Sequence, residues 1–200
     1  MFLAYTPYAP IPDTEALKAL LPPARRQRLV GDHLGALFAY TLLALILEQE
    51  FSVDAQNIVY TDIGQPYLPG FPVHFSLSHA KTHALCAVSP VPIGCDIETH
   101  RPVSPRTIHR VLADTEREID FFSHWTLKES YFKLTGDLTR AFSDICFDLA
   151  GETAATADAH AHLYYEVPNC TAAIVTRALI SRPTLQFFSP ETLFSYVAEK

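Results

Sequence analysis

The longest apolar run in the chain, Leu34 to Leu47, sets the first limit on the fold. It falls short of the roughly 18 to 20 residues a membrane span requires, and it contains Tyr40 and Thr41, so it reads as a helix buried in protein. The rest of the chain can supply the cover. Two hundred residues with 48% hydrophobic and 18% charged content suit one large domain or two small ones of roughly a hundred residues each. The helical pattern extends from Ala24 to about Glu50, with Gly31 and Gly35 marking a bend or a close packing contact.

Charge and termini narrow the class. A formal charge of −7 argues against a general nucleic-acid binder, so a phosphorylated ligand has to be attracted by a local cluster. The opening MFLAYTPYAPIPD lacks a basic segment before an apolar run and soon meets Pro7, Pro10 and Pro12, which does not read as a signal peptide. A cytoplasmic protein without a membrane segment is expected. Cys86, Cys95, Cys146 and Cys170 show no CxxC and no metal-ligand spacing, so reduced core thiols are expected.

Along the chain, Phe2 to Thr6 is β-compatible and Asp13 to Leu21 reads as a helix before Pro22 and Pro23. Asn57 to Thr61 is a strand candidate, followed by the turn-rich Gly64-Gln65-Pro66-Tyr67. The alternation in His74 to His79 predicts a half-buried strand that delivers Ser78 and His79 to one rim. Ala84 to Ser89 and Ile93 to Glu98 follow as strands, and the three look like an antiparallel meander. Helices are expected over Pro105 to Leu112 and from Asp114 through DTEREIDFF. Strands return at Ile145 to Leu149, His162 to Val167, Thr171 to Arg177 and Thr184 to Phe188, with an exposed loop from Gly151 to His160 and a closing helix after Pro190.

Three clusters carry chemistry. In His124 to Gly136, Leu127, Tyr131 and Leu134 recur at helical spacing, and Glu129 and Lys133 stand one turn apart on one face. That pair is either a surface salt bridge worth a few tenths of a kcal/mol or an acid and base in a site. In Gly94-Cys95-Asp96-Ile97-Glu98, strand periodicity puts Asp96 and Glu98 on one face and sends Cys95 and Ile97 into the core. Two such acids make either a solvated strand face or a seat for a hard divalent cation, to which Glu129 offers a further oxygen donor. Arg25, Arg26 and Arg28 form either a solvated basic face or a phosphate clamp.

With these motifs in order, the chain resembles the 4′-phosphopantetheinyl transferases of the Sfp type. The resemblance rests on Gly94-Cys95-Asp96-Ile97-Glu98, on Trp125-Thr126-Leu127-Lys128-Glu129-Ser130 with Lys133, on Phe75-Ser76-Leu77-Ser78-His79, and on Gly64-Gln65-Pro66-Tyr67. It runs from about Gly64 to Gly136, with weaker agreement at Gly31-Asp32. Gln65 departs from the lysine usual in that loop; it can hydrogen-bond but brings no charge.

The resemblance implies an α+β fold of two similar halves, mostly antiparallel strands packed with helices, related by a pseudo-twofold with the ligand between them. The expected halves are 1–92 and 93–200, the last helix packing back on the first half. It also implies coenzyme A as donor, Mg2+ (or Mn2+) on Asp96, Glu98 and Glu129, and the serine of an acyl or peptidyl carrier protein as acceptor, with 3′,5′-ADP leaving. Glu129 and Lys133 take the catalytic roles. Coenzyme A falls to Arg25, Arg28, Gln65, Pro66, Ser78, His79, Lys128 and Lys133, with Lys128 alternatively serving packing, since it leaves the helix about 100° from Glu129. A monomer is implied. Arg101, Arg106 and Arg110 are candidates for docking an acidic carrier, with Phe121 and Phe122 either as apolar contacts beside them or as core. Two other classes remain: a magnesium-dependent phosphohydrolase acting on coenzyme A or a nucleotide diphosphate, and a catalytically idle binding protein.

Overall fold

The computed structural model describes residues 1–28, 33–137 and 139–200. They divide into two compact units, Met1–Pro90 with Pro183–Lys200, and Val91–Arg182. Both mix helices with sheets, and the class is α+β with mostly antiparallel pairing.

In the first unit the strands are β1 (Phe2–Pro7), β2 (Val59–Tyr60), β3 (Pro66–Tyr67), β4 (His74–His79), β5 (His83–Ser89) and, far along the chain, the strand Leu185–Phe187. β5 is the centre of the sheet, antiparallel to β1 on one side and to β4 on the other. Leu185–Phe187 completes the sheet as a parallel partner of β1, registering Leu3 with Leu185 and Tyr5 with Phe187. The helices are α1 (Thr14–Ala19), α2 (Pro23–Arg28), α3 (Leu34–Phe51) and the closing helix Pro190–Ala198. Every residue of α3 from Ala36 to Leu47 is buried, because the helix lies on β5 and β4 with α1 and Pro190–Ala198 against its other sides. A helix apolar all round is stable only where such a surface is covered. Although α3 is long and apolar enough to cross a membrane, its apolar surface is covered by its own unit. It begins at Leu34 after His33 and ends on Ser52, whose φ of 53° turns the chain out of the helix.

The second unit is built on an all-antiparallel sheet of β6 (Ile93–Thr99), β10 (Cys170–Thr176), β9 (His160–Tyr164), β8 (Thr153–Ala155) and β7 (Asp148–Ala150), in that order. The strand Leu185–Phe187 is thus β11. α4 (Pro105–Val111) is capped by Ser104, and α5 (Phe121–Thr135) lies across β6 and β10, leaving the last helix as α6. Leu127 and Tyr131 of α5 pack with Phe147, Leu163, Ala173 and Val175 into a separate core.

Several expectations need correction. β6 does not continue the hairpin of β4 and β5; it pairs with β10, so the meander stops at Ser89. The helix expected from Asp114 is replaced by a turn, closed by Glu116 N–H on Ala113 O at 3.0 Å, and by a short 3-10 segment at Glu118–Asp120 before α5. Glu116 is the reason. Its carboxylate accepts the Ala113 amide at 2.8 Å and turns inward to Lys128, which a solvated helix face would not allow. The loop expected over Gly151 to His160 contains β8, which joins β7 to β9 and buries Ala154. Three cysteines are buried thiols, whereas Cys146 is exposed.

Candidate active site

Gly94 decides how closely β6 can approach α5. A Cβ built there would stand 1.9 Å from Ser130 O and 2.8 Å from Leu134 N, so strand and helix touch backbone to backbone. Because side chains alternate along a strand, Asp96 and Glu98 continue the face that Gly94 presents to the helix. Ser130 Oγ donates to Thr126 O at 2.8 Å and to Ala173 O at 3.3 Å, tying α5 to β10 as well. The Glu129–Lys133 edge of α5 is thereby laid along the acids of β6.

Lys133 Nζ donates to Asp96 Oδ1 at 2.8 Å and to Cys95 O at 3.0 Å. Asp96 is 5% exposed. Burial works against the Lys133 ammonium, but Asp96 and Glu129 outweigh it and hold the group above its usual range, so it stays charged. Glu98 is gripped by Arg101, whose Nη1 lies 2.8 Å from Oε2 and whose guanidinium stacks 5.0 Å from the Trp125 ring. Burial, and then the Asp96 charge, push the Glu98 carboxyl up against the pull of Arg101. Glu129 is also raised, by burial first and then by Asp96; Lys133 and the Trp125 indole one turn back pull the other way.

This is a set of three carboxylates in mutual repulsion, balanced by two cations of the chain itself. Among the described residues, no group of three or more His, Cys, Asp or Glu stands close enough together to hold a metal ion. The expected set of Asp96, Glu98 and Glu129 is therefore not drawn into one coordination sphere, and the physical reason is visible: Lys133 and Arg101 each engage one acid. The donor chemistry does fit a hard divalent cation, being all carboxylate, and a cation would relieve the repulsion that raises Glu98 and Glu129.

Lys128 departs from the role of a second phosphate ligand. Its side chain is 0% exposed; Nζ donates to Val111 O at 2.6 Å and to Glu116, itself only 3% exposed. Burial pulls the Lys128 ammonium down from its usual range, against Glu116. On the same helical face, His124 Nδ1 stands 3.1 Å from the other Glu116 oxygen. Burial alone would raise the Glu116 carboxyl, but His124, Lys128 and the Ala113 amide hold it at about 2. Sequence inspection missed this triad, although the i,i+4 spacing of His124 and Lys128 was a usable signal.

The remaining candidates lie in the first unit. Ser78 is buried and His79 exposed at the end of β4. Gln65 is held in its turn by Thr61 Oγ1, 3.0 Å from its N–H, and Pro66 opens β3. The arginines of α2 differ. Arg26 Nη2 donates to Ala19 O at 2.6 Å and Leu21 O at 3.1 Å, capping α1, while Arg25 Nε is shielded from solvent without a hydrogen-bond partner among the described residues. The Arg28 side chain and Gly31-Asp32 lie outside the described residues.

Residues 92–174 match the family model of the 4′-phosphopantetheinyl transferase superfamily. Similar proteins include the 4′-phosphopantetheinyl transferase Sfp of Bacillus subtilis strain 168, 30% identical over 109 residues, which are 48% of this chain and 49% of that protein. A 4′-phosphopantetheinyl transferase of Bacillus subtilis is 36% identical over the same shares. The 4′-phosphopantetheinyl transferase HetI of Nostoc sp. strain PCC 7120 is 42% identical over 77 residues, 32% of each chain. The chain spans about half the length of the first two. Asp96, Glu98, Glu129 and Lys133 all fall inside residues 92–174, so the segment that carries them is the segment matched to the 4′-phosphopantetheinyl transferase superfamily, and the resemblance to its Sfp type holds.

Proposed function

We propose that this protein transfers the 4′-phosphopantetheine group of coenzyme A to a serine of an acyl or peptidyl carrier protein. The observation that carries the reading is the seating of Asp96, Glu98, Glu129 and Lys133 around the Gly94 contact, inside the segment that matches the transferase superfamily. In the reaction the serine oxygen attacks the phosphorus that bears pantetheine. A new O–P bond forms, the diphosphate P–O bond breaks, and 3′,5′-ADP departs.

Glu129 accepts the serine proton. Its raised carboxyl is a stronger base than an ordinary glutamate, which favours that role. Lys133, an ammonium paired with Asp96 in this structure, turns to a phosphate oxygen and stabilises the charge gathering on the leaving side. Asp96, Glu98 and Glu129 would hold magnesium once Lys133 and Arg101 yield, and the ion would neutralise diphosphate charge. Ser78, His79, Arg25 and Arg28, with Gln65 and Pro66, are proposed to bind the coenzyme A phosphates and nucleotide.

The names of the similar proteins favour transfer over the hydrolase alternative. Incubation with coenzyme A and magnesium, with and without an apo carrier protein, tests the choice. Transfer predicts 3′,5′-ADP only when carrier is present; 3′,5′-ADP released at the same rate without carrier supports hydrolysis and sinks the transferase reading.

A further inference from the structure

Arg101 lies two residues past the end of β6 and folds back onto it. Its Nη1 donates to Thr99 O at 2.9 Å and to Glu98 Oε2 at 2.8 Å, and its guanidinium stands 5.0 Å from the Trp125 ring and 5.9 Å from that of Phe122. The chain leading to it is pinned as well. His100 N–H donates to Asn169 O at 2.9 Å, its Nε2 lies 2.8 Å from Thr171 Oγ1, and its ring packs 4.9 Å from Phe122. Phe121 completes the group edge-on, 5.3 Å from Phe122 and 5.1 Å from Trp125. Thr99 O and the two rings thus hold the guanidinium without help from Glu98. The carboxylate meets the arginine through one oxygen and one nitrogen, where a guanidinium fork can offer two parallel bonds. Its backbone is laddered to Thr171 of β10, but the side chain turns about its own bonds without disturbing that ladder. Of the two partners, the arginine is the anchored one and the carboxylate is the one that turns.

We propose that Arg101 is a positioning residue for the metal centre: stacked on Trp125 and Phe122, it holds the Glu98 carboxylate beside the site and cedes it to an arriving divalent cation, so that this one contact sets the affinity for the metal. The inference rests on the reading above, in which Asp96, Glu98 and Glu129 bind magnesium. A divalent ion brings twice the charge of a guanidinium to a carboxylate oxygen, at a shorter distance. The exchange breaks one charge-assisted bond, while Thr99 O and the rings keep the arginine in place. The direction of the effect is distinctive. Because arginine and cation compete for one carboxylate, removing Arg101 strengthens metal binding, whereas deleting a residue that builds a site weakens it.

The test titrates the full chain with Mn2+ in place of magnesium, without coenzyme A, and counts the unbound ion by its EPR signal. Arg101→Met keeps an unbranched apolar stem against the rings and removes the guanidinium; Arg101→Gln repeats the measurement with a polar head. Arg101 is 45% exposed, so the pair is worth that of a partly exposed ion pair, and the expected result in both variants is a Kd for Mn2+ lower by about two- to fivefold. The magnesium concentration that half-saturates transfer falls by the same factor, with kcat unchanged. Glu98→Gln weakens Mn2+, and adding Arg101→Met to it brings no recovery, as for two residues acting through one contact. Recovery in that double variant would mean that the lost positive charge acts through space, and overturns the proposal. An unchanged or weakened Mn2+ affinity in the two single Arg101 variants overturns it as well. Wild-type Mn2+ binding that is absent, or unaltered by Asp96→Asn, removes the metal reading itself and the proposal with it, an outcome read before any Arg101 variant is titrated.

Discussion

Adding one methyl group at Gly94 should separate β6 from α5. The Cβ of alanine would lie 1.9 Å from Ser130 O, against about 3.3 Å for a close C···O contact, so the two elements must part by roughly 1.4 Å. Neither can yield locally, because Ser130 is in the middle of α5 and β6 is laddered to β10 from Ile93 to Thr99. Displacing Lys133 by that amount stretches its 2.8 Å bond to Asp96 to about 4 Å, beyond hydrogen-bonding range. Overpacking of a tight core contact costs about 1–3 kcal/mol, occasionally more, and a misplacement of about 1 Å in a catalytic set can lower the rate about 100-fold. Urea unfolding followed by fluorescence of Trp125, the single tryptophan, reports this unit. Gly94→Ala should lower the midpoint without changing the slope and reduce transfer by about 100-fold. A variant within about 0.5 kcal/mol of the wild type and equally active would refute the close-approach argument.

The buried triad gives a second prediction: Lys128→Met leaves the Glu116 carboxylate short of a partner and should destabilise by about 3 kcal/mol, while the Lys128→Met, Glu116→Leu pair recovers part of the loss, both read by urea midpoints. The sign of the Glu116 shift fixes an acid limb, since its folded pKa of about 2 lies below the ordinary 4.5: the stabilisation is complete above pH 4.5 and fades as pH falls toward 2, amounting to roughly 3 kcal/mol. Glu116→Gln should flatten that part of the stability profile, and an unchanged profile would exclude the group. Glu129 is shifted the other way, by burial and then by Asp96, and a bound cation would lower it again, so raising magnesium should move the acid limb of kcat/KM to lower pH; a limb that does not respond to magnesium would contradict its place among the three carboxylates. Arg106 and Arg110 are exposed on α4 one turn apart, and reversing both charges should raise KM for an acidic carrier while coenzyme A affinity stays unchanged.

Much of the second unit was legible because its signals are local. Period-two alternation placed Asp96 with Glu98, and helical spacing placed Glu129 with Lys133. What escaped was set by contacts distant in sequence. β6 pairs with β10 across 71 to 83 positions, from Thr99 with Cys170 to Ile93 with Thr176, and no local pattern distinguishes that from continuing the preceding hairpin. The inward turn of Glu116 depends on Lys128 and His124 twelve and eight residues on, which made Asp114 look like a helix cap. Gly94 was visible as part of a motif, but its reason, a strand laid on the Ser130 carbonyl, needs the packed helix. The cations on the acids were half legible: Glu98 and Arg101 are near in sequence, whereas Lys133 reaches Asp96 only through the fold.

The most direct test of the account is the intact mass of an apo acyl carrier protein after incubation with this protein, coenzyme A and magnesium, beside an EDTA control and Glu129→Gln. The account predicts a gain of one phosphopantetheine group, lost in both controls. An unmodified carrier across fatty-acid, polyketide and nonribosomal-peptide types, or a gain that persists in Glu129→Gln, would contradict it.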